Sequence, residues 1–151
     1  MKRLVLKTIF FLFIGGGALQ VSAQSGDQML RYYMGIDEYS PGQISSTVDL
    51  ARQMFLQRGA DNPSSIVRVY VAGEAVDVLV KGESPLEQTI DEFSQSGWDF
   101  GLIGCGEEAE NIRQNVAEGK VELLPSAELV DSCDSLIAKF QQEGWYSVNL
   151  P

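Results

Sequence analysis

A chain of 151 residues with no histidine and two cysteines lacks the means for Cys-His or Ser-His catalysis. It is also a poor host for most transition metals and too cysteine-poor to be a disulfide-stapled miniprotein. Its 21 acidic residues against 11 basic ones, net charge −10, exclude a nucleic-acid or anionic-lipid binding surface, since the basic side chains are scattered rather than clustered.

The first segment reads as a targeting signal. Lys2, Arg3 and Lys7 form a positive n-region, Leu4 to Ile14 is largely apolar, and Val21-Ser22-Ala23 supplies a small-x-small cleavage pattern. The apolar run is too short for a comfortable membrane span, and the absence of a cysteine after the cleavage position speaks against a lipid anchor; an uncleaved N-terminal anchor is the alternative. Residues 1–23 are therefore expected to be a signal peptide and 24–151 a single domain. Removal of the signal leaves eight Lys+Arg and a net charge of −13 on 128 residues, enough chain for one core. The expected location is periplasmic or secreted, with no membrane contact in the mature form. There both thiols meet an oxidising environment.

Strand-like and helix-like segments then alternate. Met29 to Ile36 reads as a first strand. Ser40-Pro41-Gly42-Gln43 has the form of a capping box, with Ser40 as N-cap and Pro41 at the first helical position. The helix it opens places Ile44, Val48, Ala51 and Phe55 on one face, with Gly59 as its stop. Ile66 to Ala72, rich in β-branched residues, is a second strand. Gly73 to Val80 reads as a short helical turn. Ser84-Pro85-Leu86-Glu87 repeats the capping-box pattern and opens a helix with Leu86, Ile90 and Phe93 aligned, ending at Gly97. Trp98 to Gly104 is a third strand, Glu107 to Glu118 a helix stopped by Gly119, and Ala127 to Val130 a short fourth strand. Asp131 or Ser132 caps a helix carrying Leu136, Ile137 and Phe140, and Trp145 to Leu150 is a closing strand. This order predicts right-handed crossovers, hence a three-layer α/β/α domain with a mainly parallel five-stranded sheet. No Gly-x-Gly-x-x-Gly or Gly-Lys-Ser/Thr motif supports a nucleotide site, and no cofactor or metal is expected.

Cys105 is the most specific chemical handle. It follows an apolar strand and precedes Gly106-Glu107-Glu108, the start of a helix, so it lies at the carboxyl edge of the sheet where α/β folds build sites. A helix N-terminus favours thiolate over thiol. The plain alternative is a small buried hydrophobe. Cys133 occupies an equivalent place after the fourth strand. If the two strands are neighbours, their ends lie ~5 Å apart, compatible with a disulfide; a second free thiol is the other option. Glu74 and Asp37-Glu38 belong to the same edge and read most simply as loop solvation. Arg31 and Arg68, within strands, are candidates for pairing with acids. Tyr32, Tyr33, Trp98 and Trp145 read as core or interface residues.

Val67 to Val76 resembles the second strand and glycine turn of the DsrE/DsrF-like sulfur-relay family (YchN-like fold). Gly97-Trp98-Asp99-Phe100-Gly101-Leu102-Ile103-Gly104-Cys105-Gly106 resembles its cysteine-bearing strand end. Leu123-Leu124-Pro125, Glu128-Leu129-Val130 with Ser132, and Gln141 to Tyr146 followed by Pro151 resemble its C-terminal signature. The resemblance implies a three-layer domain assembled as trimers or hexamers, with Cys105 at the position that carries sulfur as a persulfide. Two departures stand out. Relatives often have Cys-Gly-Asn-Thr where this chain has Cys105-Gly106-Glu107-Glu108, and the two carboxylates oppose a nearby thiolate. The second is the export signal, since the family's cytosolic relays hand sulfur between reduced partners, and it speaks against a tRNA-thiolation role. Cys133 falls where relatives often have glycine.

Three functions remain open. The first is a sulfur carrier outside the cytoplasm, with Cys105 as the catalytic thiol, no catalytic base of its own, and a sulfur donor or acceptor protein or a small sulfane-sulfur species as partner. The second is a non-enzymatic oligomeric binding or scaffold module, and the third a periplasmic dithiol/disulfide protein built on Cys105 and Cys133.

Overall fold

The computed structural model describes residues 29–57 and 65–150; the expected signal peptide and the Gly59 helix stop lie outside them. Strand β1 (Arg31–Ile36) leads to α1 (Pro41–Leu56), β2 (Ile66–Val71), a 3-10 helix (Gly73–Leu79) and α2 (Glu87–Gln95). Then come β3 (Asp99–Cys105), α3 (Glu107–Ala117), β4 (Ala127–Val130), α4 (Cys133–Gln142) and β5 (Tyr146–Ser147). Among the described residues the strands form one sheet in the order β4-β3-β2-β1-β5, with every pair parallel. The fold is α/β with three layers, as its alternating pattern requires.

Topology decides which helix covers which face. From β1 to β4 each connection steps one strand in the same direction, so right-handed crossovers put α1, the 3-10 helix with α2, and α3 on one face. The return from β4 to β5 runs the opposite way and carries α4 across the other face. Side-chain alternation matches this division. Met34, Ile36, Val67, Val69, Val71, Phe100 and Leu102 point to the first face and form the main core with residues of α1, α2, α3 and the 3-10 helix. Tyr33 and Ile103 point the other way and pack on Leu136 and Phe140 of α4.

The main core contains an aromatic cluster. Phe93 contacts Phe55, Trp98 and Phe100 at ring-centroid distances of 5.7, 5.1 and 5.1 Å. Burying one such side chain contributes roughly 1.5–3 kcal/mol, and Phe93 is 2% exposed. On the α4 face, Tyr33 stacks on Phe140 at 4.9 Å, and Trp145 lies 4.7 Å from Phe140.

Three local expectations are corrected. At α1, Ser40 Oγ accepts from the Gln43 N–H as a capping box requires. The Gln43 side chain, however, accepts from the Glu38 N–H and donates to Asp37 rather than reaching back to Ser40. The second capping pattern does not cap: α2 starts at Glu87 with Leu86 as its uncapped N-terminal residue. Ser84 Oγ accepts from the Leu86 N–H and Glu87 from the Gly82 N–H, so both side chains tie the turn that precedes the helix. The closing strand shrinks to Tyr146–Ser147, because its register pairs with β1 at Tyr32 and Tyr33.

Candidate functional site

Cys105 is the last residue of β3, paired in register with Val130, the last of β4. From these neighbouring ends the chain departs in opposite directions, into α3 on the first face and α4 on the second. Adjacent strand ends whose connections diverge form a topological switch point, the position where open α/β sheets place their sites. Cys105 and Cys133 are joined there in a disulfide with Cα atoms 5.0 Å apart, and the chain has no further cysteine.

Local sequence explains the placement. Alternation along β3 sends Cys105 to the α4 face with Ile103. Gly104 faces the other way, where a Cβ would come within 2.5 Å of Leu79 and 2.8 Å of Leu129. Cys133 is the first residue of α4, whose N-cap Ser132 accepts from the Ser135 N–H. The two cysteines differ in burial. Cys105 is 0% exposed, whereas Cys133 is half-buried. The Val71 carbonyl oxygen lies 3.7 Å from Cys105 Sγ, placed to accept a hydrogen bond from that thiol when the disulfide is reduced.

Gly106 links strand to helix at φ +93°, a conformation that L side chains rarely adopt. A Cβ there would lie 3.9 Å from both Cys133 Sγ and Glu108 Oε2. Apart from its chain neighbours, a sulfur and a carboxylate oxygen are thus the atoms that border this point. Glu107, Glu108 and Glu110 occupy the first turn of α3, where they complement the helix dipole and oppose negative charge on sulfur. Arg113 is engaged with Glu110 and, at 2.8 Å, with Asp131. The hydrogen bond to Asp131 is the main cause raising the Arg113 pKa above its ordinary value, with Glu110 adding to it.

The remaining candidates scatter around this centre. Glu74 lines a groove of about 540 Å³ on the first face together with Tyr39, Asp77, Glu108 and Asn111. Asp37 is held by Gln43 at 3.2 Å. Arg68 pairs with Asp99 at 2.8 Å across β2 and β3. Arg31 donates to the Glu143 carbonyl and lies over the Trp145 ring at 5.4 Å, far from the disulfide along the chain and at the other end of β1. Tyr33 is buried and Tyr32 packs on the core. Trp98 and Trp145 pack against the two hydrophobic clusters.

Sequence reasoning missed one pair on the α4 face. The Tyr70 ring lies directly over Gly35, so close that a Cβ on Gly35 would fall 2.1 Å from it. Burial, followed by Asp37 and Tyr33, raises the Tyr70 pKa. Glycine in mid-strand is the signal that could have found it, since it marks a close approach. Among the described residues, no group of three or more Cys, Asp or Glu side chains is arranged to hold a metal ion, and no helix is long and apolar enough to cross a membrane.

No family model matches this chain, and no curated protein matches it either. Among solved structures, a protein of unknown function from Methanobacterium thermoautotrophicum aligns with a TM-score of 0.58 at 21% identity. The match covers 80% of this chain and 98% of that one. The two share a fold.

Proposed function

We propose that this chain is an exported DsrE-like domain that works as a dithiol/disulfide exchange protein through Cys105 and Cys133. The observation that carries this reading is a disulfide at the switch point of the sheet that joins a fully buried cysteine to a half-buried one. A partner thiolate attacks Cys133 Sγ, the Cys105–Cys133 bond breaks, and its electron pair goes to Cys105 Sγ, which takes a proton. A second thiol of the partner then attacks the partner sulfur of the mixed disulfide and releases Cys133. The protein gains a dithiol and the partner gains a disulfide. Burial makes Cys105 a poor leaving group, because a thiolate forming there is desolvated, so exchange is slow.

A persulfide stored on Cys105 fits this arrangement less well. Its sulfur is 0% exposed, and the adjoining Cys133 thiolate would attack the inner sulfur, expel hydrosulfide and close the disulfide. Under this reading, sulfur delivered by a donor protein or a small sulfane-sulfur species is released rather than carried. Trimeric or hexameric assembly is what the resemblance implies.

The test is native-state reduction. The folded protein is equilibrated in thiol redox buffers, free thiols are trapped by alkylation, and near-UV circular dichroism follows the fold. We expect reversible opening with the fold retained and with Cys133 alkylated first. If the bond opens only as the protein unfolds, exchange is rejected and an oligomeric binding module with a structural disulfide takes its place.

A further inference from the structure

We infer that the partner opening this disulfide bears positive charge beside its thiol, a proposal that rests on the exchange reading above. One side of Cys133 Sγ faces Gly106, and Glu108 borders the same space. Glu108 Oε2 is within about 8 Å of that sulfur, since both atoms are 3.9 Å from one point above Gly106. Glu107 shares the same helical turn, and Asp134 follows Cys133 at the start of α4. All three are exposed, and none is in an ion pair among the described residues. Arg113, the cation held near these helix starts, is engaged by Glu110 and Asp131.

An attacking thiolate is an anion, so these carboxylates resist it unless the partner brings a compensating cation. Two unit charges about 8 Å apart in water alter a rate by roughly two- to threefold. Glu108 alone therefore gives a discrimination of roughly two- to threefold per unit of partner charge at low ionic strength, and Glu107 and Asp134 add to it, with roughly tenfold as the upper bound for three charges at that distance; salt largely removes the effect. The selected partner class is a thiol with an adjacent ammonium or guanidinium; the disfavoured class is an anionic thiol such as a mercapto-sulfonate.

Three small thiols of similar size test this on the intact folded protein: cysteamine, 2-mercaptoethanol and 2-mercaptoethanesulfonate. Opening rates are expressed per thiolate, at low and high salt, for wild type, Glu108→Gln and the combined Glu107→Gln, Glu108→Gln, Asp134→Asn variant. The expected order is cysteamine, then mercaptoethanol, then the sulfonate, with at least about twofold and up to about tenfold between successive probes. High salt and the combined variant should collapse the differences, and Glu108→Gln alone should reduce them. Equal rates, a reversed order, or an order that persists in the combined variant would overturn the charge selectivity and leave exchange standing. Failure of all three thiols to open the folded protein would remove exchange itself, and the selectivity with it.

Discussion

Cutting the Cys105–Cys133 bond should cost the fold about 3.5 kcal/mol. The bonded residues are 28 apart in sequence, and the chain-entropy relation for a loop of that length gives this figure as freedom restored to the unfolded chain. Cys133→Ser removes the bond with least disturbance, because Cys133 is half-buried while the remaining Cys105 thiol can donate to the Val71 carbonyl 3.7 Å away. At about 4 °C per kcal/mol for a domain of this size, the melting temperature should fall by roughly 14 °C. Urea unfolding followed by circular dichroism measures the loss, for oxidised wild type, reduced wild type and the variant. Reduced wild type and variant should coincide within about 1 kcal/mol and lie well below oxidised wild type. The loss should also be unevenly distributed. A ten-residue helix such as α4 is too short to hold itself, and its buried anchors are Leu136 and Phe140, so its amides should lose exchange protection before those of β2 and β3. Equal midpoints for the three species, or uniform loss of protection, would refute the claim that this bond pins α4 to the sheet.

Three further outcomes follow from particular contacts. Gly35→Ala should destabilise the protein by about 1–3 kcal/mol through overpacking against the Tyr70 ring, and adding Tyr70→Ala should recover part of the loss in a double-mutant cycle of urea midpoints. Ser132→Ala removes the α4 cap and should cost about 1 kcal/mol, with faster alkylation of Cys133 in the reduced protein. Tyr70 has a folded pKa above its unfolded value of 10.0. Its contribution to stability is thus fully present below pH 10.0 and fades as pH rises through the folded value. Absorbance titration should show that late ionisation, and Tyr70→Phe should abolish it; a Tyr70 that ionises together with the unfolded chain contradicts the burial argument.

Features written in short stretches of chain were legible in the sequence. The α1 cap was visible because Ser40, Pro41 and Gln43 act within one turn. The β3 and β4 spans were visible because runs such as Phe100 to Ile103 have no alternative to burial on a covered sheet. The same capping pattern misled at Ser84, where the deciding contacts reach backwards to Val80 and Gly82. The closing strand was overextended for a related reason. Alternation of faces was present through Leu150, but pairing depends on what β1 offers, and only Tyr32 and Tyr33 meet it. Gly35 and Tyr70 meet through adjacency of two strands, which local pattern does not encode. For the cysteines, equivalent positions were apparent from their sequence contexts, yet their bond required β3 and β4 to be neighbours.

That adjacency has a consequence for where chemistry can occur. Because the first three crossovers step in one direction and the fourth returns, α3 and α4 must begin side by side and then part to opposite faces. On the α3 side, the space beside Gly104 is already filled by Leu79 and Leu129, and Ala109 is fully buried. On the α4 side, Cys105 is sealed while the half-buried Cys133 opens a helix. In the exchange proposed above, an incoming thiol would therefore reach the bond through Cys133, beside Gly106 and Glu108. A side chain at Gly106 would be strained by its φ of +93°, and its Cβ would stand in van der Waals contact with Cys133 Sγ, covering that side of the sulfur. Gly106→Ala should consequently lower stability by about 1 kcal/mol and also slow thiol attack relative to other variants of equal stability. Loss of stability without that slowing would show that the reagent arrives by another route.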